Sequence, residues 1–354
     1  MTPNAEFIYN ELSMLPIREF FAAPCEGRAF TNPWELLRDA EKERFIKILS
    51  DNADIPYEKM SDFERFSATL SGISRAWGSG ARELLDAELS MLFGYELCKD
   101  TPNAAELWRD FTQKMSKNDY NSNIELTCDT HLPIVTLESH YAAWGKRNLD
   151  AIERNEKLAA TLDISNLSFV LTDRYHAEEA YKEFCQGSKE ALDIALSGLL
   201  FSIFETARKR NICLFLNIGN NVRSAKKMID YFTERGAMTD LVLFASADTV
   251  SVVAAELCGV RESGKRQCRI ECGLLYEHGD TAEYIANKVC DIARVYPVER
   301  IVIGGSVTDS RAFAARHRIL RRAVCMAAER ICPDRDTALE CARRITENST
   351  RYVL

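Results

Sequence analysis

Short runs dense in Val, Ile, Leu, Phe and Cys alternate along the chain with longer stretches in which apolar and polar residues recur at helical spacing. The apolar runs lie at 16–21, 124–128, 167–171, 212–218, 241–245, 267–272 and 300–304. Runs that are apolar throughout suit strands buried on both faces of a parallel sheet, because a sheet with one wet face would alternate. The stretches at 188–209, 222–235, 280–295 and 312–331 predict amphipathic helices. This alternation of strand and helix predicts an α/β fold.

Residues 30–115 break the pattern and read as helices only, at 33–51, 61–73, 79–93 and 104–115. Pro33 follows Thr31-Asn32, an arrangement suited to a capped helix start. The expected organisation is therefore a barrel at 1–29 and 120–354 with a helical insertion at 30–119. Seven strands are readable, whereas a closed barrel of alternating strands and helices wants eight. The missing one falls between 171 and 212. That region reads as helix, so the fourth strand is either short and cryptic or absent.

Composition is ordinary for a globular chain of this length: 354 residues, 46% hydrophobic and 28% charged. A net charge of −8 and the lack of a basic stripe argue against nucleic acid as a partner. The densest basic cluster, 316–322, is interleaved with His317, Ile319 and Leu320 and reads as a helix with one wet face. No run is long and apolar enough for a membrane helix. The opening residues, Met1-Thr2-Pro3-Asn4-Ala5-Glu6, carry neither the basic region nor the apolar core of an export signal, so a cytoplasmic location is expected. The twelve cysteines are scattered, several within apolar runs, and read as buried reduced thiols. Cys268 and Cys272 share a strand face but lack two further ligands at zinc-site spacing.

Asp309 and Arg311 follow the last apolar run, where a final barrel strand releases its chain at the catalytic face. An ion pair between them, or a cap on the helix that follows, is the plainer alternative. Of five histidines, His131, His176 and His278 each fall shortly after a candidate strand, and Asp173 and Glu277 lie in the same class of loop. One reading makes these histidines acid–base groups or ligands of a rebuilt site; the other leaves them as exposed loop residues.

Several segments resemble the uronate isomerases, which are amidohydrolase-like (β/α)8 barrels of the TIM type. The clearest is Thr308-Asp309-Ser310-Arg311-Ala312-Phe313, followed by Arg316-His317 and Arg321-Arg322-Ala323-Val324-Cys325. Weaker matches are Leu137-Glu138-Ser139-His140, Asn32-Pro33-Trp34-Glu35-Leu36-Leu37, Ala87-Glu88-Leu89 with Phe93-Gly94, Leu216-Asn217-Ile218-Gly219, and Asn348 with Arg351-Tyr352. The resemblance implies an aldose–ketose interconversion of glucuronate or galacturonate, with Asp309 as the catalytic carboxylate and Arg311 and Arg174 holding the sugar acid. The loop histidines His131, His176 and His278 join them as candidate substrate contacts. Such chemistry needs a base near the migrating proton and stabilisation of an enediolate oxygen. A planar guanidinium can engage the substrate carboxylate bidentately.

The resemblance also shows losses. The metal-binding His-x-His of the family's first strand is matched by Phe21 and Ala23, and the histidine of its Leu-His-Ile-Gly segment by Asn217. A polar segment of the family's insertion becomes Asp39-Ala40-Glu41-Lys42-Glu43-Arg44, and its paired tryptophans become Leu274-Leu275. No metal or other cofactor is therefore expected. The expected partner is a small sugar acid, with no nucleic acid and no membrane; assembly with further copies of the chain is left open. Three functions stay open: a sugar-acid isomerase, a non-catalytic sugar-acid binder or scaffold, and a hydrolase-type reaction at a rebuilt site.

Overall fold

A computed structural model describes residues 1–13, 20–22, 31–37, 42–43, 46–48, 56–97, 103–116, 132–137, 159–163, 208, 214–219, 226, 229–230, 233–234, 240–245, 250–257, 268–271, 281–302, 304–306 and 310–348. Its strands are β1 (Phe20–Ala22), β2 (Leu132–Leu137), β3 (Ala159–Asp163), β4 (Leu214–Gly219), β5 (Leu241–Ala245), β6 (Cys268–Glu271), β7 (Ile301–Val302) and β8 (Gly304–Ser306). Its helices are α1 (Pro3–Ser13), α2 (Pro33–Leu37), α3 (Asp62–Ile73), α4 (Gly80–Phe93), α5 (Ala104–Ser116), α6 (Val250–Leu257), α7 (Ala282–Ala293), α8 (Ser310–Ile331) and α9 (Arg335–Asn348).

Every strand pairs in parallel with its neighbours in chain order, from β1 to β7. β7 pairs with β6, whereas β8, which begins two residues after β7 ends, pairs with β1. One stretch of chain thus joins the two ends of the sheet, and the strand order is a ring. Parallel neighbours need a crossover between them, which α6 supplies between β5 and β6 and α7 between β6 and β7.

The strand at 241–245 lies where the apolar run predicts it, and β1, β4, β6 and the β7–β8 stretch overlap their runs. The predicted strands at 124–128 and 167–171 lie outside the described residues. Among the described residues β2 and β3 stand at Leu132–Leu137 and Ala159–Asp163, where no strand was predicted. Ala160–Asp163 pair directly with Leu214–Asn217. No strand therefore intervenes between them in the sheet, although a fourth was sought between 171 and 212.

The insertion helices follow their caps. Asn32 Oδ1 accepts the Glu35 N–H at 3.0 Å, and Glu35 returns its carboxylate to the Thr31 N–H and hydroxyl, each at 2.8 Å. Ser61 and Glu64 form a reciprocal capping box at the start of α3. At the end of α4, Gly94 takes φ 65°, a left-handed C-terminal cap that a Cβ would strain. These helices enclose a core of Trp34, Leu36, Leu37, Phe66, Leu70, Leu85, Leu89, Phe93 and Phe111. Within it Phe93 and Phe111 stack with centroids 3.8 Å apart, and Phe66 meets Phe111 edge to face at 6.0 Å.

α8 carries a second core: Ala315, Ile319, Leu320, Ala323, Val324, Cys325, Ala327 and Ala328 are all fully buried. α1, α4, α7 and α9 pack around it. α1 and α9 extend the fold beyond the predicted helices; Phe7 of α1 lies under the Arg335 guanidinium of α9 at 3.2 Å. Among the described residues, no helix is long and apolar enough to cross a membrane.

Two predictions follow from these cores. Phe111→Ala removes the ring shared by the Phe93 and Phe66 contacts and should destabilise the protein by about 3–5 kcal/mol, read from urea unfolding. Burial of Cys325 lifts its thiol from the ordinary 9.0 to about 12. Because the folded thiol holds its proton above the pH at which the unfolded one loses it, its contribution to stability is complete below pH 9 and declines above it. At pH 9, iodoacetamide should leave Cys325 unlabelled in the native protein and label it after unfolding, as read by peptide mass spectrometry.

Candidate site at the carboxyl ends of the strands

Residues in every second register row share a face of the sheet. Pro133, Val135 and Leu137 of β2 share a face with Phe21, Ala160, Leu162, Leu214, Leu216, Leu241, Leu243, Cys268, Ile270 and Ile301. That face is apolar throughout. The other carries Thr136, Thr161, Asp163, Asn217, Arg269, Glu271 and Ser306 together with Phe20, Ala22, Phe215, Val242, Phe244 and Val302. Every charged, amide or hydroxyl residue in the paired rows falls on this second face. An aliphatic face suits the covering helices, which leaves the polar face to the inside of the ring.

Two levels can be read on that face. Thr136, Thr161, Phe215, Val242 and Arg269 form one row. Asp163, Asn217 and Phe244 form the next, nearer the carboxyl ends, and Glu271 stands two residues beyond Arg269 at that level. Arg269 is only 1% exposed. Its neighbour Cys268 accepts a hydrogen bond at its carbonyl from the Tyr296 hydroxyl at 2.8 Å, which fixes β6 against the end of α7.

The register refines the metal positions. Phe21 pairs with Pro133 and Gly305, on the apolar face. One residue to either side, the polar face holds Phe20 and Ala22, beside Gly304 and Ser306. In neither frame does the first strand offer a ligand atom. Asn217 stands on the polar face between Asp163 and Phe244, with an amide where a nitrogen-preferring metal needs an imidazole. Among these described residues of β1 and β4, none is a histidine.

Of the predicted site residues, Arg311 is placed as the second residue of α8, which begins at Ser310, two residues before the predicted start. Asp309, Arg174, His131, His176 and His278 lie outside the described residues. Sequence reading missed Arg269, Asp163 and Glu271. The period-two alternation of Gln267-Cys268-Arg269-Ile270-Glu271-Cys272 was the available signal, since a polar residue at every second position of a buried strand marks a face with something polar to meet.

Lys42, in the polar segment altered in the insertion, is turned into the helical core. Its ammonium meets Glu88 Oε2 at 2.6 Å and donates to the Leu37 carbonyl at 2.6 Å, with the two side chains 0% and 3% exposed.

No family model matches the chain. In sequence it is similar to the uronate isomerases of Caldicellulosiruptor bescii (21% identity, over 82% of this chain and 79% of the relative) and Caldicellulosiruptor saccharolyticus (22%, 82% and 79%). The uronate isomerase of Lachnospira eligens matches at 20% identity over 92% of this chain and 89% of its own. This chain is a divergent relative of the uronate isomerases. Solved structures agree on the fold. The uronate isomerase of Thermotoga maritima superposes with a TM-score of 0.65 at 11% identity, covering 100% of this chain and 97% of that one. The glucuronate isomerase of Caulobacter crescentus gives 0.60 at 11% identity, over 98% and 92%.

Removing one member of a buried ion pair leaves an uncompensated charge, whereas removing both does not. Lys42→Met should therefore destabilise the protein by about 3–5 kcal/mol, and Lys42→Met with Glu88→Leu should recover most of the loss. Urea unfolding of the wild type, both single variants and the double variant measures the coupling.

Proposed function

We propose that this divergent relative binds a sugar acid of the glucuronate or galacturonate type at the carboxyl ends of its strands and interconverts the aldose and ketose forms there. Asp309 serves as the base that moves the proton between the adjacent carbons. Arg311, with Arg174, holds the carboxylate and the developing enediolate oxygen, and His131, His176 and His278 are further substrate contacts from the loops of the same mouth. The reaction proceeds without the family's nitrogen-ligated metal, because the positions that would bind it carry phenylalanine, alanine and asparagine. The fold behind this reading is an eight-unit strand–helix barrel with one degenerate unit, divided at 30–119 by the helical insertion.

The supporting observation is the closure of the strand ring. Ser306 of β8 pairs with Ala22 of β1, and residues 307–309 lead from there to Ser310 at the head of α8. This chain order supports placing the motif at the sheet end that carries the row of Asp163, Asn217 and Glu271. Phe20 and Ala22 on the strand that pairs with β8 favour a second reading, a sugar-acid binder without turnover.

The two are separated by incubating purified protein with glucuronate and galacturonate, with and without chelator, and following ketose by proton NMR. Ketose formation that survives chelation is expected. Asp309→Asn should lower the rate by about 100-fold or more, in the range of a lost acid–base group. Arg311→Met should act chiefly on KM. A thermal shift with uronates but no ketose would establish the binder instead, and neither response would remove both readings.

A further inference from the structure

Glu83 is the one side chain of the insertion helices that is seen to hold both α7 and α8 among the described residues. Its Oε2 accepts the Ala282 N–H at 3.0 Å, and its Oε1 lies 3.3 Å from Arg322 Nη1 of α8. Ala282 is the first residue of α7, whose cap Thr281 accepts the Tyr284 N–H at 3.2 Å. Two of the four N–H groups left open at that helix start are therefore satisfied, one from within and one from the insertion. A second tie lies one turn earlier on α8 and two turns later on α4, where Arg318 Nη1 donates to Ser90 Oγ at 3.1 Å.

The place of this contact gives it meaning. α7 follows β6 and precedes β7, and both strands are parallel, so α7 runs back against them. Its first turn therefore stands at the carboxyl-end side of the sheet, the side of Asp163, Asn217 and Glu271. A carboxylate is also the group that a helix N-terminus favours. The anion that occupies the head of α7 comes from the chain itself, ten residues before the end of α4.

We infer that Glu83 is a positioning residue that couples the helical insertion to the mouth side of α7, and that sugar-acid binding depends on that coupling. The second half rests on the function proposed above. Arg322 holds the carboxylate in place from α8, while the Ala282 N–H receives it. Glu83→Gln keeps an acceptor oxygen for Ala282 and loses the charge that Arg322 attracts; Glu83→Ala loses both.

Hydrogen exchange of the full-length protein, read by mass spectrometry without ligand, tests the coupling. In Glu83→Ala, exchange over 281–285 should rise about tenfold while exchange over α9 (335–348) stays at the wild-type level. Glu83→Gln should restore most of the protection. A uniform rise across both regions, or no rise at 281–285, overturns the coupling. The same variants are then titrated with glucuronate and galacturonate by thermal shift. Glu83→Ala should weaken the response and Glu83→Gln should recover it; an unchanged response in Glu83→Ala overturns the dependence and leaves the proposed function standing. A wild type that responds to neither sugar acid ends the proposed function and the dependence with it, while the exchange result still decides the coupling.

Discussion

The burial of α8 is the constraint on which the rest of the structure depends. It leaves the strand that closes the ring and runs through the packed region where α1, α4, α7 and α9 meet. Its inward positions are mostly small, with Ala315, Ala323, Ala327 and Ala328 fully buried beside Ile319, Leu320 and Val324. Small residues let four helices approach one axis closely, and interiors of this density respond to single added methylenes. The outward positions carry the arginines that tie the neighbours: Arg318 and Arg322 reach α4, and Arg330 binds Glu283 of α7 at 2.6 Å. One helix thus fixes the ring, the insertion and the terminal helices in a single frame.

Much of that frame could be read from the chain because its signals are local. Caps at Ser61, Ser79 and Thr281 each sit just before an amphipathic run, and the helices begin where those caps place them. β5 is five consecutive apolar residues and needs no neighbour to be recognised. β2 and β3 were not legible for identifiable reasons. Leu132–Leu137 carries Pro133, which normally demotes a run to an edge or to no strand. Ala159–Asp163 has two alanines and a terminal aspartate, so its preference for extended structure is weak. Both are strands because the sheet pairs them, a tertiary effect that a local pattern does not contain.

The site was legible in one respect and hidden in another. Arg311 could be placed near the head of the helix after the closing strand from its motif alone. The row of Asp163, Asn217 and Glu271 could not, because it exists only once the register of β3 through β6 is known. Register also shows what a sequence match leaves open: a shift of one residue moves a side chain to the opposite face. Phe21 falls in the register rows of the apolar residues and Phe20 and Ala22 in those of the polar ones, and none of the three carries a donor atom in its side chain.

The polarity of the inner face is itself costly. A guanidinium as buried as that of Arg269 loses several kcal/mol of hydration, and an ion pair seldom recovers more than it costs relative to well-packed apolar residues. The opposite face of the same strands shows that the chain can fill such positions with apolar residues, mostly leucine. A ring built only for stability would use the same residues on both faces. Placing an arginine, two carboxylates and an amide on one face, the last three at the end where the chain leaves its strands, spends stability on chemistry. That asymmetry is what a sheet face that meets a polar ligand requires.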